Sequence, residues 1–473
     1  MTGARPYTSD VPEVFCVDAV GARIGIDLSG LDEVRAAAIR RAWADAAADG
    51  IPDVVVTPAD APVESMLSGL SQLVTITAID AARGQAWMLH AAGLANETGE
   101  VVVLVGPSGR GKTTASRVLG REFGYVSDET VAIEESGRVR AYRKPLSVIE
   151  DPALPKAQVP PSAAGLRPLP DATLRVCAIV LLDRRPDHDG APEVEVLDLG
   201  DALGDLVEQS SFLTHADAPL QFIADVASAA GGVRRVVYRE ADELVPVIAA
   251  LMDAGSAVLP ARTTPAQSGW EPASEALPQA VANTPGAPPR FRRADWADHI
   301  ELHDPDRVAV LSVDTRGRGT VRVLAGIAPA VWRAADGASL DELAAAAVAA
   351  YGTPPGPDAA PAVLVAVGAL LDAGLLVSDE PHLRRRDDVA WVDRDDRVYA
   401  LALDDVEGRP RLLEGTAAVL WDWLDEPVTL TQLSARATEH SGAFDHRVAE
   451  DVAAFVAELV DLHLVAPVGE PEH

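Results

Sequence analysis

VVVLVGPSGRGKTTASRVLG, residues 101–120, carries five apolar residues into a glycine-rich turn and then into a helix-like segment. Gly106, Pro107, Ser108, Gly109, Arg110, Gly111, Lys112 and Thr113 fit the pattern G-x-x-x-x-G-K-[ST], and Thr114 follows. Each part has a mechanical reason. Glycines let backbone N–H groups curl around phosphate oxygens, and a helix starting near Lys112 points its positive dipole end at them. In that geometry Lys112 bridges the β- and γ-phosphates and the Thr113 hydroxyl ligates Mg²⁺. A strand before the loop and a helix after it are the context the motif requires. The loop therefore predicts binding of ATP with Mg²⁺.

Strand-like and helix-like segments alternate over the residues around this loop, which predicts one α/β domain over residues 1–254. DEVRAAAIRRAWADAAADG, from Asp32 to Gly50, is alanine-rich with a helical apolar spacing, and DVVVTP after it reads as a short strand. GQAWMLHAAGLA and EVVVLVG read as consecutive strands around the turn at Asn96–Gly99. TLRVCAIVLLD, from Thr173 to Asp183, is apolar on both sides, as a central buried strand is.

Residues 255–293 read as a linker, because prolines at 260, 265, 272, 278, 285, 288 and 289 forbid a long helix. Beyond it the chain repeats itself. RVAVLSVDTRGRGTVRVLAGIAPAVWRAADGASLDEL starts at Arg307, and RVYALALDDVEGRPRLLEGTAAVLWDWLDEPVTLTQL starts at Arg397. Gly326 matches Gly415, Trp332 matches Trp421, and Leu343 matches Leu433. A solenoid needs at least three repeats, so two copies predict two small domains, over 294–380 and 387–468. Each copy gives a strand pair, a helix, a second helix capped at Ser339 or Thr429, a third helix and a strand. That order suits a winged helix with an N-terminal β-ribbon, and the tryptophans read as core anchors. The predicted fold is thus an α/β phosphate-loop domain followed by two small α+β winged-helix domains.

Composition narrows the function classes. Hydrophobic content of 48% and charged content of 24% are ordinary for a globular protein, but the net charge is −32. Such a chain repels nucleic acid unless a local basic patch intervenes. The basic clusters, Arg290, Arg292 and Arg293, then Arg384, Arg385 and Arg386, lie between elements and read as solvated linker. Cys16 and Cys177 stand in apolar runs and read as buried free thiols. The first ten residues lack the apolar core of a signal peptide, and no apolar run reaches the roughly 20 residues that span a bilayer. The expected setting is cytoplasmic, without nucleic acid or membrane as partner.

Phosphoryl transfer needs a carboxylate that holds metal and a group that orients the acceptor. Two places compete. Asp183 ends the apolar strand AIVLLD, while Asp128 and Glu129 stand in YVSDETVAI, one helix after the loop.

LHAAGLA before the loop, GPSGRGKTT itself and GYVSDETVAI after it together resemble the HPr kinase/phosphorylase family and its smaller relatives in peptide-modification gene clusters. AYRKPLSV looks like a basic-Pro-Leu-Ser segment of those relatives. The resemblance covers about Leu70 to Leu251. It implies Asp128 as the base that accepts a hydroxyl proton, His90 as its aid, and Glu129 with Thr113 and Asp128 on Mg²⁺. From the residues alone, His90 reads first as a core histidine on an apolar strand, and Arg143 with Lys144 equally as contacts to phosphate or acceptor and as an exposed loop pair. Glu129 stands where the family has a second Asp, and the proline-rich EDPALPKAQVPPSAAGLRPLP replaces the family's metal-binding stretch. HPr itself is therefore not the expected substrate.

VLAGIAPAVW and LLEGTAAVLW, each followed by a helix start and a closing GLL-type strand, resemble PqqD-like proteins. That resemblance implies recognition of the leader of a ribosomally made precursor peptide, by a strand added to a sheet edge. Kinase-like chemistry on a Ser or Thr of the captured peptide is the first expectation. A nucleotide-gated leader-peptide scaffold serving a separate modifying enzyme is the second, and an ATP-switched DNA regulator the third, which the charge opposes.

Overall fold

The computed structural model describes residues 13–107, 111–148, 156–255, 288–354, 358–394, 397–404, 409–442 and 445–468. Ser108, Gly109, Arg110 and linker residues 256–287 lie outside the described residues. The chain divides into two compact units, residues 1–269 with 316–321 and residues 270–315 with 322–473.

The first unit opens with a hairpin, β1 (Val14–Ala19) and β2 (Ala22–Asp27). Helix α1 (Glu33–Ala42) starts at Asp32, whose carboxylate accepts the Arg35 N–H, and ends well before Gly50. The fully buried Trp43 follows, and the chain tightens into a 3₁₀ turn at Ala44–Ala46. Strand β3 (Val54–Val56) joins β2 in parallel. Helix α2 (Val63–Ala81) buries Met66, Leu70, Val74 and Ala78, four residues apart, in the core beneath this sheet.

The stretch expected to be one strand is two, β4 (Trp87–Leu89) and β5 (Ala91–Ala95), broken at His90. The Asn96 side chain accepts N–H groups of Thr98 and Glu100 at 3.0 and 2.9 Å, turning β5 back into β6 (Glu100–Val105). The chain continues through α3 (Lys112–Leu119), β7 (Gly124–Ser127), β8 (Val131–Ile133), β9 (Val139–Arg140), β10 (Leu146–Val148) and β11 (Ala157–Val159). Then come β12 (Arg175–Arg184), β13 (Glu193–Leu197), α4 (Leu199–Glu208) and β14 (Ser210–Ser211). Helix α5 (Pro219–Ala229), β15 (Val233–Tyr238) and α6 (Leu244–Ala254) close the unit.

The main sheet has the order β13-β15-β12-β6-β5-β7. β12 is parallel to both β6 and β15, which accounts for its unbroken apolar sequence. α3 and α6 pack on one face, sharing a core with Val102, Leu104, Val180 and Leu182. β14, β4, β8 and β9 form a second, smaller sheet. Cys177 is buried, and burial pushes its thiol up to about 12; Cys16 is half-buried. Among the described residues no helix is long and apolar enough to cross a membrane.

In the second unit the duplicated sequence yields a duplicated element order. The first copy runs β16 (Phe291–Arg293), β17 (Asp298–Leu302), β18 (Arg307–Val313), β19 (Gly319–Leu324), α7 (Ala328–Ala334) and β20 (Asp336–Ala338). It ends with α8 (Leu340–Tyr351), α9 (Ala360–Asp372) and β21 (Leu376–Ser378). The second runs β22 (His382–Arg385), β23 (Val389–Arg394), β24 (Arg397–Ala402), β25 (Arg411–Glu414) and α10 (Thr416–Trp423). It ends with α11 (Leu430–Ser441), α12 (His446–Asp461) and β26 (Val465–Val468).

Each copy has a three-stranded meander, β17-β18-β19 or β23-β24-β25, rather than the strand pair read from sequence. Each also has a smaller ladder: β20-β16-β21 in one, and β22-β26 with a Leu383–Val428 bridge in the other. The expected caps form as capping boxes, Ser339 with Glu342 and Thr429 with Gln432. Trp332 and Trp421 are buried in the two cores.

Two readings need correction. β16 begins inside the stretch assigned to linker, because Phe291 is an apolar plug with 0% exposure. Arg293 and Arg385 are not solvated linker charges. Their guanidinium groups lie over the rings of Trp332 at 5.3 Å and Trp421 at 5.2 Å, a cation–π contact made once per copy.

Helices α9 and α11 pack so closely that a Cβ on Gly368 would lie 2.3 Å from the Ala435 Cβ. Gly368→Ala should therefore cost about 1–3 kcal/mol by overpacking. Denaturant melts of the full chain check this; unchanged stability would mean that α9 and α11 do not pack as described.

Candidate active site

Two strand breaks build the site. β5 pairs with β7 in the main sheet, Gly93 opposite Ser127, and β4 pairs with β8 in the small sheet, Leu89 opposite Val131. His90 on one strand path and Asp128, Glu129 and Thr130 on the other fall between these two ladders. Outside both ladders, His90, Asp128 and Glu129 line one cavity with Lys112, while Thr130 is buried. The Ser127 hydroxyl fixes the corner by accepting N–H groups of Glu129 and Thr130 at 3.3 and 3.2 Å.

A cavity of 710 Å³ opens there, lined by His90, Gly111, Lys112, Thr113, Thr114, Asp128 and Glu129. Ser68, Ser71 and Gln72 of α2, with Lys144, Ser147 and Lys156, complete the lining. Its size suits a small-molecule ligand. Gly111 caps α3 with φ at 93°, a left-handed conformation that glycine adopts without strain. The Lys112 ammonium bonds the Gly106 carbonyl, and burial holds its pKa below the usual lysine value. Thr113 and Thr114 are exposed at the start of the helix.

The acidic pair is tied from behind. Tyr125 Oη donates to Asp128 Oδ1 at 2.8 Å. Burial first, and Asp128 next, push the Tyr125 hydroxyl well above its ordinary pKa, so it remains a proton donor to this carboxylate. The Glu129 carboxylate takes an ion pair from Lys144 at 2.5 Å. Arg143 and Lys144 are both buried, not an exposed pair, and they part ways. Arg143 donates to the Tyr125 and Arg167 carbonyls at 2.6 and 3.1 Å, a framework role, while Lys144 faces the cavity.

His90 is exposed to the cavity rather than packed in the core. Desolvation lowers its pKa from the usual 6.5, Lys112 adds to this, and Glu129 and Asp128 pull the other way. The net effect favours the neutral imidazole at neutral pH.

Asp183, the competing carboxylate, is absent from the described cavity lining. Its Oδ2 accepts from Arg185 at 2.7 and 3.0 Å. The contributions of α2 and the β10–β11 hairpin were not visible in the sequence. No motif marks Ser68, Ser71, Gln72 or Lys156, and Ser147 is marked only as part of AYRKPLSV; packing brings them to one cavity.

Among the described residues no group of three or more His, Cys, Asp or Glu side chains could hold a metal. The available donors are the Asp128 and Glu129 carboxylates and the Thr113 hydroxyl. That oxygen set fits Mg²⁺, which commonly takes one or two carboxylates and completes its shell with phosphates and water.

Residues 401–465, within the second copy, match the family model described as coenzyme PQQ synthesis protein D (PqqD). Among solved structures, the HPr(Ser) kinase/phosphatase from Coxiella burnetii is similar at 13% identity, over 35% of this chain and 94% of that one, with a TM-score of 0.19. The PqqD-like resemblance of the second copy thus returns in the family model. No curated protein matches the chain.

Proposed function

We propose that this chain is an ATP- and Mg²⁺-dependent phosphotransferase acting on a Ser or Thr hydroxyl of a ribosomally made precursor peptide. One observation carries the reading: Lys112, Thr113, His90, Asp128 and Glu129, from separate stretches of sequence, line one cavity. The loop amides and the N-terminus of α3 hold the terminal phosphates, and Lys112 exchanges the Gly106 carbonyl for them. Thr113, Asp128 and Glu129 would hold Mg²⁺, which supplies charge neutralisation at the phosphate oxygens. Tyr125 fixes Asp128 Oδ1 and leaves Oδ2 to take the acceptor's proton. The acceptor oxygen bonds to the γ-phosphorus as its bond to the bridging oxygen breaks, and ADP leaves.

Capture of the peptide falls to the C-terminal copies. The PqqD match supports this for the second, and the shared element order extends it to the first. Incubation with ATP, Mg²⁺ and a candidate precursor peptide tests the reading: the peptide should gain the mass of one phosphate. A peptide that binds but never gains it points to a nucleotide-gated scaffold for a separate enzyme. The ion pair that Lys144 already makes with Glu129 favours that second reading.

Acid sensitivity offers a further check. Protonating His90 would put a second cation beside Lys112 and remove an acceptor from the site. Transfer should therefore fall as pH drops through a value below 6.5, the direction of the His90 shift. His90→Gln should remove that limb from the pH–rate profile; an unchanged limb would assign it elsewhere.

A further inference from the structure

The chain has three lysines against 37 arginines: Lys112, Lys144 and Lys156. All three are among the thirteen residues that line the cavity. Everywhere else a cation is a guanidinium. The two differ physically, since an ammonium is a compact point charge on a flexible stem and a guanidinium a planar fork. All of the chain's lysine is thus gathered at this one cavity.

The nucleotide already has its cradle in the loop amides, the start of α3 and Lys112. Lys144 and Lys156 belong to a different wall. Lys144 precedes β10, and Lys156 stands at the foot of β11, its hairpin partner, where Ser147 opposes Gln158. α2 packs beside β11 and adds Ser68, Ser71 and Gln72. No apolar side chain appears in the lining. Lys144 neutralises Glu129, whereas Lys156 is exposed and makes no ion pair among the described residues. With a net charge of −32 the surface as a whole repels an anion; in this cavity Lys144 offsets Glu129, and the exposed Lys156 ammonium adds a local attraction for one.

We infer that Lys144 and Lys156 form an anion subsite on the acceptor side of the cavity, which selects a hydroxyl acceptor flanked by a carboxylate. This rests on the phosphotransferase reading and adds to it the chemistry of the acceptor.

The test uses the full chain and labelled synthetic peptides too short to contain a leader. Each carries one Ser flanked by Glu, or the same sequence with Gln for Glu, and binding is followed by anisotropy with a non-hydrolysable ATP analogue present. The acidic peptides should bind about tenfold more tightly, as expected for a charge-assisted contact. Lys156→Met should cut that preference to about twofold and Lys156→Arg should keep most of it, with affinity for the analogue unchanged. Lys144→Met, which also unpairs Glu129, should act in the same direction once a melt shows the fold intact. Equal binding of the two peptide sets, or a preference untouched by Lys156→Met, overturns the subsite. A matching loss of analogue affinity also overturns it, by assigning the lysine to the nucleotide. Failure of the phosphotransferase reading looks different: acidic peptides bind through Lys156 yet gain no phosphate when ATP and Mg²⁺ replace the analogue.

Discussion

Asp128→Asn should leave nucleotide affinity within about twofold of the parent and lower the rate of peptide phosphorylation by about 10²–10⁴, the usual contribution of a positioned general base. The substitution is close to isosteric. Its amide oxygen can still accept from Tyr125 Oη, so the corner between β7 and β8 should keep its shape. What disappears is the proton acceptor and one negative charge. Single-turnover transfer measured beside ATP-analogue binding separates the two effects. If transfer survives at more than about a tenth of the parent rate, Asp128 is not the base, and positioning by the loop accounts for the catalysis.

Lys112→Met should weaken ATP binding by about a hundredfold, the loss expected when a charge-assisted contact to phosphate is removed from a partly enclosed site. The methionine keeps most of the lysine stem, so the packing around α3 should hold. The Gly106 carbonyl loses its bond to the ammonium, which is a modest cost beside a missing cation. Calorimetric titration with ATP and Mg²⁺ measures the change. A near-unchanged affinity would remove the phosphates from this loop and, with them, both readings of the function. Together the variants distinguish a site that binds from a site that reacts.

Parts of this arrangement are legible without coordinates because they are local. The span from Val101 to Gly120 encodes a strand and a helix within twenty consecutive residues, each from a pattern near at hand. The capping boxes at Ser339 and Thr429 are equally local, as is the repeat that produces two copies of one element order. The residues alone narrow the carboxylate to two places, Asp183 and the Asp128–Glu129 pair, and the family likeness separates them. The spacing of Asp128 from Lys112 says nothing of which way a strand corner turns.

Long-range pairing set the rest. His90 reads as part of one continuous strand because apolar residues flank it on both sides. It leaves the ladder because Leu89 pairs with Val131 in one sheet and Gly93 with Ser127 in another. Arg143 and Lys144 are adjacent and alike in composition, yet one holds backbone carbonyls and the other faces the cavity. Arg293 and Arg385 looked like linker charges until the strands that carry them brought each over a buried tryptophan.

By itself the sequence determined the strand before the glycine-rich motif and the helix after it, the central apolar strand and the duplication, since each follows from rules that act over a few residues or recur at a fixed distance. Only the tertiary structure decided what faces the loop: an acidic corner from β7–β8, a histidine at a strand break, and lysines carried in on a hairpin beside α2. The reason is geometric. A cavity is enclosed by residues far apart in the chain, and which of them meet depends on how sheets pair and helices pack, which no local pattern records.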